Sequence, residues 1–408
     1  MKEKVFAALL LVISLTVSLL ISEAIAKKVV ESSFVYWSAF IPDDQIGWRL
    51  KPNADLEVEW YEGVKQRIIT NQLGYRDSKN PQDVAGSTVV TMQGDSNLLG
   101  YGIQSPNLIS NVLDGLLNKE SPKRYSIINA GTSGYDLQNY VLQFSETQKS
   151  FRPALNFVFF NMDNDHLYTL LSTPYNLPRP FHDLKDGKLI LNSPEYRIRS
   201  QLYPLKFVPS LASEDQFVRD YYFGTWKYGF VDGIGSQSFL AYLIGSRLGY
   251  QNKVSSALGF HANPETVNAE DYARGFTFCV LSRYQEKWHP IFDRGQQLIE
   301  KLLGTYTGFS ATKTVVVLLP DKLDLVDRNE LDAMFAKYNP GASPKPEPFY
   351  QQMKRSITDA GLSYIDLRPI FLMQKDLSEL YLRGNSHIGP KGHEVIANVL
   401  AEYIRTNQ

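Results

Sequence analysis

Between residues 87 and 161 the chain alternates between two periods. "STVVTMQ" is a β-branched apolar run, and "SPNLISNVLDGLLNK" after it carries apolar residues at helical spacing. "RYSIINAG", "LQNYVLQFSETQKS" and "ALNFVFFNM" continue as strand, helix, strand. The last run is almost wholly apolar, as a strand covered on both faces requires. Strands joined through helices pair in parallel, because each crossover returns the chain to the same end of the sheet. The alternation resumes with "PIFDRGQQLIEKLLG", "KTVVVLLPD", "EPFYQQMKRSITDA", "LSYIDL" and "GHEVIANVLAEYIRT". The expected architecture is α/β: a three-layer α/β/α domain around a parallel sheet.

Two stretches stand outside this pattern. Residues 27–86 read as a β-rich lead-in. There "DLEVEWYEGVKQRIIT" alternates and turns at Glu62-Gly63, and "NQLGYRD" ends in a glycine-containing turn. Residues 167–275 lose the alternation and carry Pro, Gly, Tyr and charged turns, with "DGKLIL" as a hairpin-like piece. They read as an insertion, or subdomain, within a domain spanning 87–408. The chain has 408 residues, and a prior of roughly 150 residues per domain suggests two or three units, a soft bound for an α/β domain with insertions.

At the N-terminus, Lys2 and Lys4 precede "VFAALLLVISLTVSLLI", which holds no charge, and "SEAIAKK" follows. Two readings of residues 1–26 compete. A signal peptide has a basic start, an apolar core and a small-residue exit, and Ala24-Ile25-Ala26 fits a cleavage site after Ala26. A signal anchor uses residues 5–26, and about 20 apolar residues suffice to cross a bilayer. The apolar core exceeds the roughly 7–15 residues of a signal peptide, which favours the anchor. Lys27 and Lys28 balance Lys2 and Lys4, so charge does not set orientation. Either reading expects the body outside the cytoplasm, membrane-anchored or secreted.

Composition removes other classes. The net charge of −1 offers no basic excess for nucleic acid. The one cysteine, Cys279, cannot form an internal disulfide, and no Cys/His spacing resembles a zinc site. No metal or cofactor is implied. Aromatic residues make up 12%, which suits a carbohydrate-facing surface and a well-packed core alike.

In an open parallel sheet, ligands bind outside the carboxyl ends of the strands. Three such ends are legible: Gly94-Asp95-Ser96-Asn97, Gly131-Thr132-Ser133-Gly134 and Asn161-Met162-Asp163-Asn164-Asp165. A fourth segment, "GNSHIGPKGH", precedes the last helix and supplies His387. A serine hydroxyl becomes a useful nucleophile when a base takes its proton and donors wait where the oxyanion forms. His387 is the candidate base for Ser96. The Ser96 and Gly134 N–H groups and the Asn164 amide are candidate donors.

This arrangement resembles the SGNH (GDSL-type) serine hydrolase family over most of residues 87–405, the insertion aside. "GDSN" resembles the first motif and places the nucleophile on Ser96. "NAGTSG" resembles the second, with Gly134 as oxyanion donor. "MDND" stands where the family has Gly-x-Asn-Asp and gives Asn164. "HIGPKGH" resembles the end of the last motif and gives His387. "NQLGYRD" and "RPFHDLKDGKLIL" resemble membrane-anchored bacterial members. The resemblance implies a flavodoxin-like sheet and ester hydrolysis through an acyl-enzyme.

Two positions depart from the family. Met162 replaces a glycine, where it would crowd the site. The family carries an aspartate two or three residues before the histidine, and here those positions hold Asn385 and Gly384. Asn385 can still accept the histidine Nδ1 proton through its carbonyl oxygen, with less electrostatic help; removing the aspartate charge from a serine-protease template costs ~10⁴-fold in turnover. Asp366, at the end of "LSYIDL", is an alternative acid because it too ends a strand. Asp95 reads as a hydrogen-bonding partner within its turn, His166 as a rim residue, and His393 as part of the terminal helix.

The expected activity is hydrolysis of acyl esters, in particular O-acetyl groups on an extracytoplasmic glycan. A glycan O-acetyltransferase would use the same residues, and a catalytically weak glycan-binding or assembly protein is the rival class. For the N-terminus, mass spectrometry of the native protein is expected to find a chain beginning at or near Met1 in the membrane fraction. A mature terminus at Lys27 in soluble extract would show cleavage instead.

Overall fold

The computed structural model describes residues 2–33, 39–59, 65–120, 124–162, 164–172, 174, 179–193, 208–214, 240, 289–327, 329, 347–382 and 386–407. Five strands form the central sheet: β5 (Thr88–Gln93), β6 (Tyr125–Asn129), β7 (Leu155–Asn161), β10 (Lys313–Leu319) and β11 (Ser363–Asp366). All pairings in it are parallel, and the order is β6-β5-β7-β10-β11. Taken in chain order this is 2-1-3-4-5, the flavodoxin-like arrangement. From β5 the chain crosses one way to β6 and then back past β5 to β7. The sheet therefore opens a crevice between the carboxyl ends of β5 and β7.

Side chains alternate across the sheet and fill two cores. Val158 and Phe160 of β7 pack with α4 (Leu137–Phe151), α6 (His289–Gly304) and α7 (Glu347–Asp359). Phe157 and Phe159 face the other way, onto α3 (Ile109–Glu120) and α9 (Pro390–Asn407), which follows the short helix α8 (Arg368–Leu372) in the chain. Every residue of β7 is buried, and each buried Phe contributes roughly 1.5–3 kcal/mol. This is the three-layer α/β/α architecture expected from the periodicity. The helices fall where the apolar spacing places them, except that Ser105–Asn107 forms a short 3₁₀ turn before α3.

The lead-in does not join the sheet. Its strands pair antiparallel as β1 (Phe40–Asp43) with β2 (Gly47–Leu50), and β3 (Asp55–Glu59) with β4 (Lys65–Ile69). Trp48 of β2 carries it onto the central domain. The indole Nε1 donates to the Ser133 carbonyl at 2.9 Å, and the ring meets Tyr135 edge-on. Before the lead-in, α1 (Lys2–Ser33) runs through Lys4–Ala26 with large apolar side chains exposed. Those 23 residues span ~34 Å at 1.5 Å per residue, enough for a bilayer core. An anchor, a signal sequence and a core helix all meet that length, and the exposed apolar side chains of α1 set it apart from a buried core helix.

Within the insertion, β8 (Phe181–Lys185) and β9 (Lys188–Asn192) form a hairpin. Asp186 and Gly187 both have positive φ, 51° and 70°, as a two-residue type I′ turn demands. Its base is fastened by Arg179, which is fully buried. The guanidinium donates to Asp136 at 2.5 Å, to Asn139, and to the Tyr168 and Leu171 carbonyls. Asp136 also caps α4, so one ion pair joins the insertion to the helix behind the second site loop.

Removing one partner of a buried ion pair strands the other charge. Arg179→Met is expected to destabilise the protein by about 3–5 kcal/mol, and adding Asp136→Asn is expected to recover part of that loss. Urea denaturation of the two variants measures it; a near-zero cost for Arg179→Met would show that the pair does not hold the insertion.

Candidate active site

The sheet ends β5 at Gln93 and turns at once into the short helix α2 (Ser96–Leu99). Asp95 caps that helix, accepting from the Asn97 N–H at 2.8 Å. Its other oxygen accepts from Asn161 Nδ2 at 2.8 Å. Asp95 is thus the bridge between the ends of β5 and β7, and burial raises its carboxyl above the usual range. This places Ser96 at the first position of α2, nearly buried, with its N–H accepted by no described residue.

His387 arrives from the far end of the chain. Its Nε2 lies 2.7 Å from Ser96 Oγ. The loop that carries it is tied down on both sides of the histidine. Asn97 Oδ1 accepts the Ile388 N–H at 2.9 Å. The Leu382 N–H donates to the His387 carbonyl, and the Gly389 N–H donates to Leu380 O. Tyr101 stacks on the imidazole. Burial lowers the His387 pKa to about 4, so the ring is neutral at pH 7 and able to accept a proton.

The second loop follows β6, which borders β5 on the side away from β7. The Thr132 N–H donates to Gly94 O, fastening this loop to the turn that carries Ser96. Asn129 bonds the Gly131 N–H and, through its amide, Leu98 O. Gly131 approaches so closely that a β-carbon would lie 2.4 Å from Leu99 N. Gly134 takes φ = 77°, a conformation that favours glycine, and no described residue accepts its N–H.

The third loop follows β7. Asn164 occupies the cap position of α5 (Asp165–Tyr168), half-buried. Behind it, the fully buried Asp165 accepts from the Asn161 N–H and from the Tyr140 hydroxyl. Burial and the Asp95 charge push its carboxyl well above the usual range. Met162 is buried in the apolar core, its N–H donating to Leu319 O, rather than crowding Ser96.

The sheet order thus brings the Ser96, Gly134 and Asn164 loops onto adjacent strands, with His387 against Ser96. It does not bring Asp366 there. Asp366 ends the edge strand β11, with β10 and β7 between it and β5. Its carboxylate meets Lys354 Nζ at 2.6 Å and accepts the Arg368 N–H. The alternative acid is therefore engaged elsewhere. Asn385 and Gly384, like Asp163 and Cys279, lie outside the described residues. His166 is buried against Phe349. His393 is buried in α9, its Nδ1 accepting the Ile109 N–H.

The sequence placed Asn97 and Asn161 at strand ends without a task and did not point to Tyr101 or Trp48. Asn97 stood inside the "GDSN" motif, but its task depends on a loop far along the chain. Among the described residues, no group of three His, Cys, Asp or Glu could hold a metal ion.

No protein-family model matches the chain, and no curated protein does. Solved structures similar to it include LAE5, an alpha/beta hydrolase enzyme from the metagenome of Lake Arreo, Spain. The identity is 12%, the match covers 78% of this chain and 95% of that one, and the TM-score is 0.35. A lipase/acylhydrolase from Enterococcus faecalis matches at 9% identity over 78% of this chain and 95% of that one, with a TM-score of 0.34. Likeness at this level carries no functional weight, and the chemistry rests on the geometry above.

Because burial alone lowers the His387 pKa, the ring is expected to stay neutral down to a midpoint near pH 4. Imidazole chemical shifts followed by NMR titration measure this. A midpoint at the ordinary value, about 6.5, would mean that the ring is solvated or faces a negative charge.

Proposed function

We propose that the chain is a serine ester hydrolase working through an acyl-enzyme on Ser96. The observation that carries this reading is the 2.7 Å contact between His387 Nε2 and Ser96 Oγ, at the crevice where the strand order reverses. In the first step Nε2 takes the Ser96 proton while Oγ attacks the ester carbonyl. This requires the neutral tautomer with its proton on Nδ1, and the Asn385 carbonyl oxygen is the proposed acceptor of that proton. The oxyanion is held by the Ser96 N–H, the Gly134 N–H and the Asn164 amide. The tetrahedral intermediate then collapses, and the imidazolium returns its proton to the departing alkoxide. Water, deprotonated by the same nitrogen, releases the acid.

A base with pKa about 4 accepts a serine proton reluctantly, so the donors must carry much of the acceleration. One oxyanion donor is worth ~10²–10³-fold in turnover elsewhere. The proposed substrate is an O-acetyl ester on an extracytoplasmic glycan, with α1 as the membrane anchor. Transfer of the acyl group to a sugar hydroxyl instead of water needs no further residue. The low imidazole pKa also favours a second reading, a glycan-binding protein with little turnover.

Labelling of the purified full-length chain with a fluorophosphonate probe separates these readings. Labelling and p-nitrophenyl acetate hydrolysis are expected in the native protein and lost in Ser96→Ala. His387→Ala is expected to lose as much, and the double variant no more than either, because the two act as a unit. Undiminished hydrolysis in folded Ser96→Ala would remove Ser96 from the mechanism, and absence of labelling in the native protein would favour the binding reading.

A further inference from the structure

The ring of Tyr101 lies over the ring of His387, with centroids 4.2 Å apart and planes 16° from parallel. Tyr101 belongs to the turn that presents Ser96. Its N–H and that of Gly100 both donate to the Ser96 carbonyl, at 3.0 and 3.1 Å. Gly100 takes φ = 82° to make this turn, and a β-carbon there would lie 2.2 Å from Leu108 Cδ2. The turn is fixed from below. Buried Arg76 donates to the Leu99, Gly100 and Ile103 carbonyls, at 2.7, 2.8 and 2.8 Å. Gln66 donates to the Gly100 carbonyl at 2.7 Å and to that of Ile103.

We propose that Tyr101 is a positioning residue that locks the imidazole plane of His387 onto Ser96. The outer torsion of a histidine is broad and roughly two-fold. The contact from Nε2 to Oγ fixes one ring atom, and hydrogen bonds at the ring edge do not resist tipping of the plane as a face contact does. A ring stacked on its face opposes that tipping and keeps water off that side. The same aromatic face meets positive charge at the moment the imidazole takes the serine proton. Nucleophile and base orientation are therefore set by one turn, residues 96–101, whose carbonyls Arg76 and Gln66 hold.

The kinetic consequence rests on the reading of Ser96 as nucleophile; the locked ring does not. The test compares the native full-length chain with Tyr101→Leu and Tyr101→Phe in detergent. It measures fluorophosphonate labelling rates, kcat and KM on p-nitrophenyl acetate, and ¹H–¹⁵N spectra of histidine-labelled protein, with His387→Gln for assignment. Tyr101→Leu is expected to lower kcat and labelling rate about tenfold with KM changed by less than about twofold. Tyr101→Phe keeps the ring and is expected to behave as the native chain. The His387 ring signals are expected to be sharp in the native and Phe chains and motionally averaged in the Leu chain. A folded Tyr101→Leu with native kcat and unchanged His387 signals would overturn the assignment, as would a loss that Tyr101→Phe shares. Should the native chain take no probe, the hydrolase reading fails and the ring signals alone decide the role of Tyr101. Should Tyr101→Leu not fold, Tyr101→Met serves in its place.

Discussion

The turn at Gly94 is closed by contact. A β-carbon there would lie 2.8 Å from Leu98 Cβ and 3.1 Å from Phe159 Cβ. Strand β5 therefore passes into α2 through Gly94 and Asp95 alone, and with the Asp95 cap this tight turn delivers Ser96 to the sheet's carboxyl edge. The sheet order then supplies neighbours. With β6 on one side and β7 on the other, the two following loops must flank that serine.

Besides the apolar cluster that takes in Leu99, Tyr135 and Met162, a set of buried polar side chains ties the three loops together. Asp95, Asn97, Asn129 and Asn161 are all buried, and each bonds across from one strand end or loop to another. A satisfied hydrogen bond contributes only about 1 kcal/mol net, whereas orphaning a buried partner costs about 1–3 kcal/mol. Such a network adds little stability when complete and opposes any displacement of its members. That suits the proposed site, whose donors and base would have to keep fixed distances.

The fold was legible because parallel strands covered on both faces must be apolar throughout, and Leu155–Asn161 is the extreme case. The strand order was not, since periodicity says which segments are strands and nothing about which way each crossover runs. This is why Asp366 looked like a candidate acid. It does end a strand, but an edge strand, where Lys354 and the Arg368 N–H occupy it. Ser96 and His387 were legible through short motifs with chemistry at strand and helix ends. Asn97 and Tyr101 were not, because their partners stand some 290 residues away in the chain. Met162 shows the reverse error: a side chain larger than glycine found room in the core beneath the loop rather than in the site.

Burial sets a tension at the centre of this arrangement. The cover that holds His387 also lowers its pKa to about 4, which keeps the ring neutral at the cost of basicity. A carboxylate beside Nδ1 would reverse that trend by favouring the charged ring, and the sequence offers Asn385 where the family its motifs resemble has an aspartate. Under the proposed mechanism, the charge that would develop on the imidazole must then be met by other means. The face of Tyr101 provides one, since an aromatic ring attracts a desolvated cation without adding a charge of its own. It cannot match a buried carboxylate in strength. The balance therefore shifts toward the oxyanion side, where preorganised N–H and amide donors act on the negative half of the same charge separation. If the proposed mechanism holds, rigid loops substitute for a strong base, and the dense bonding around Gly94, Gly131 and Asn97 is what that substitution would require.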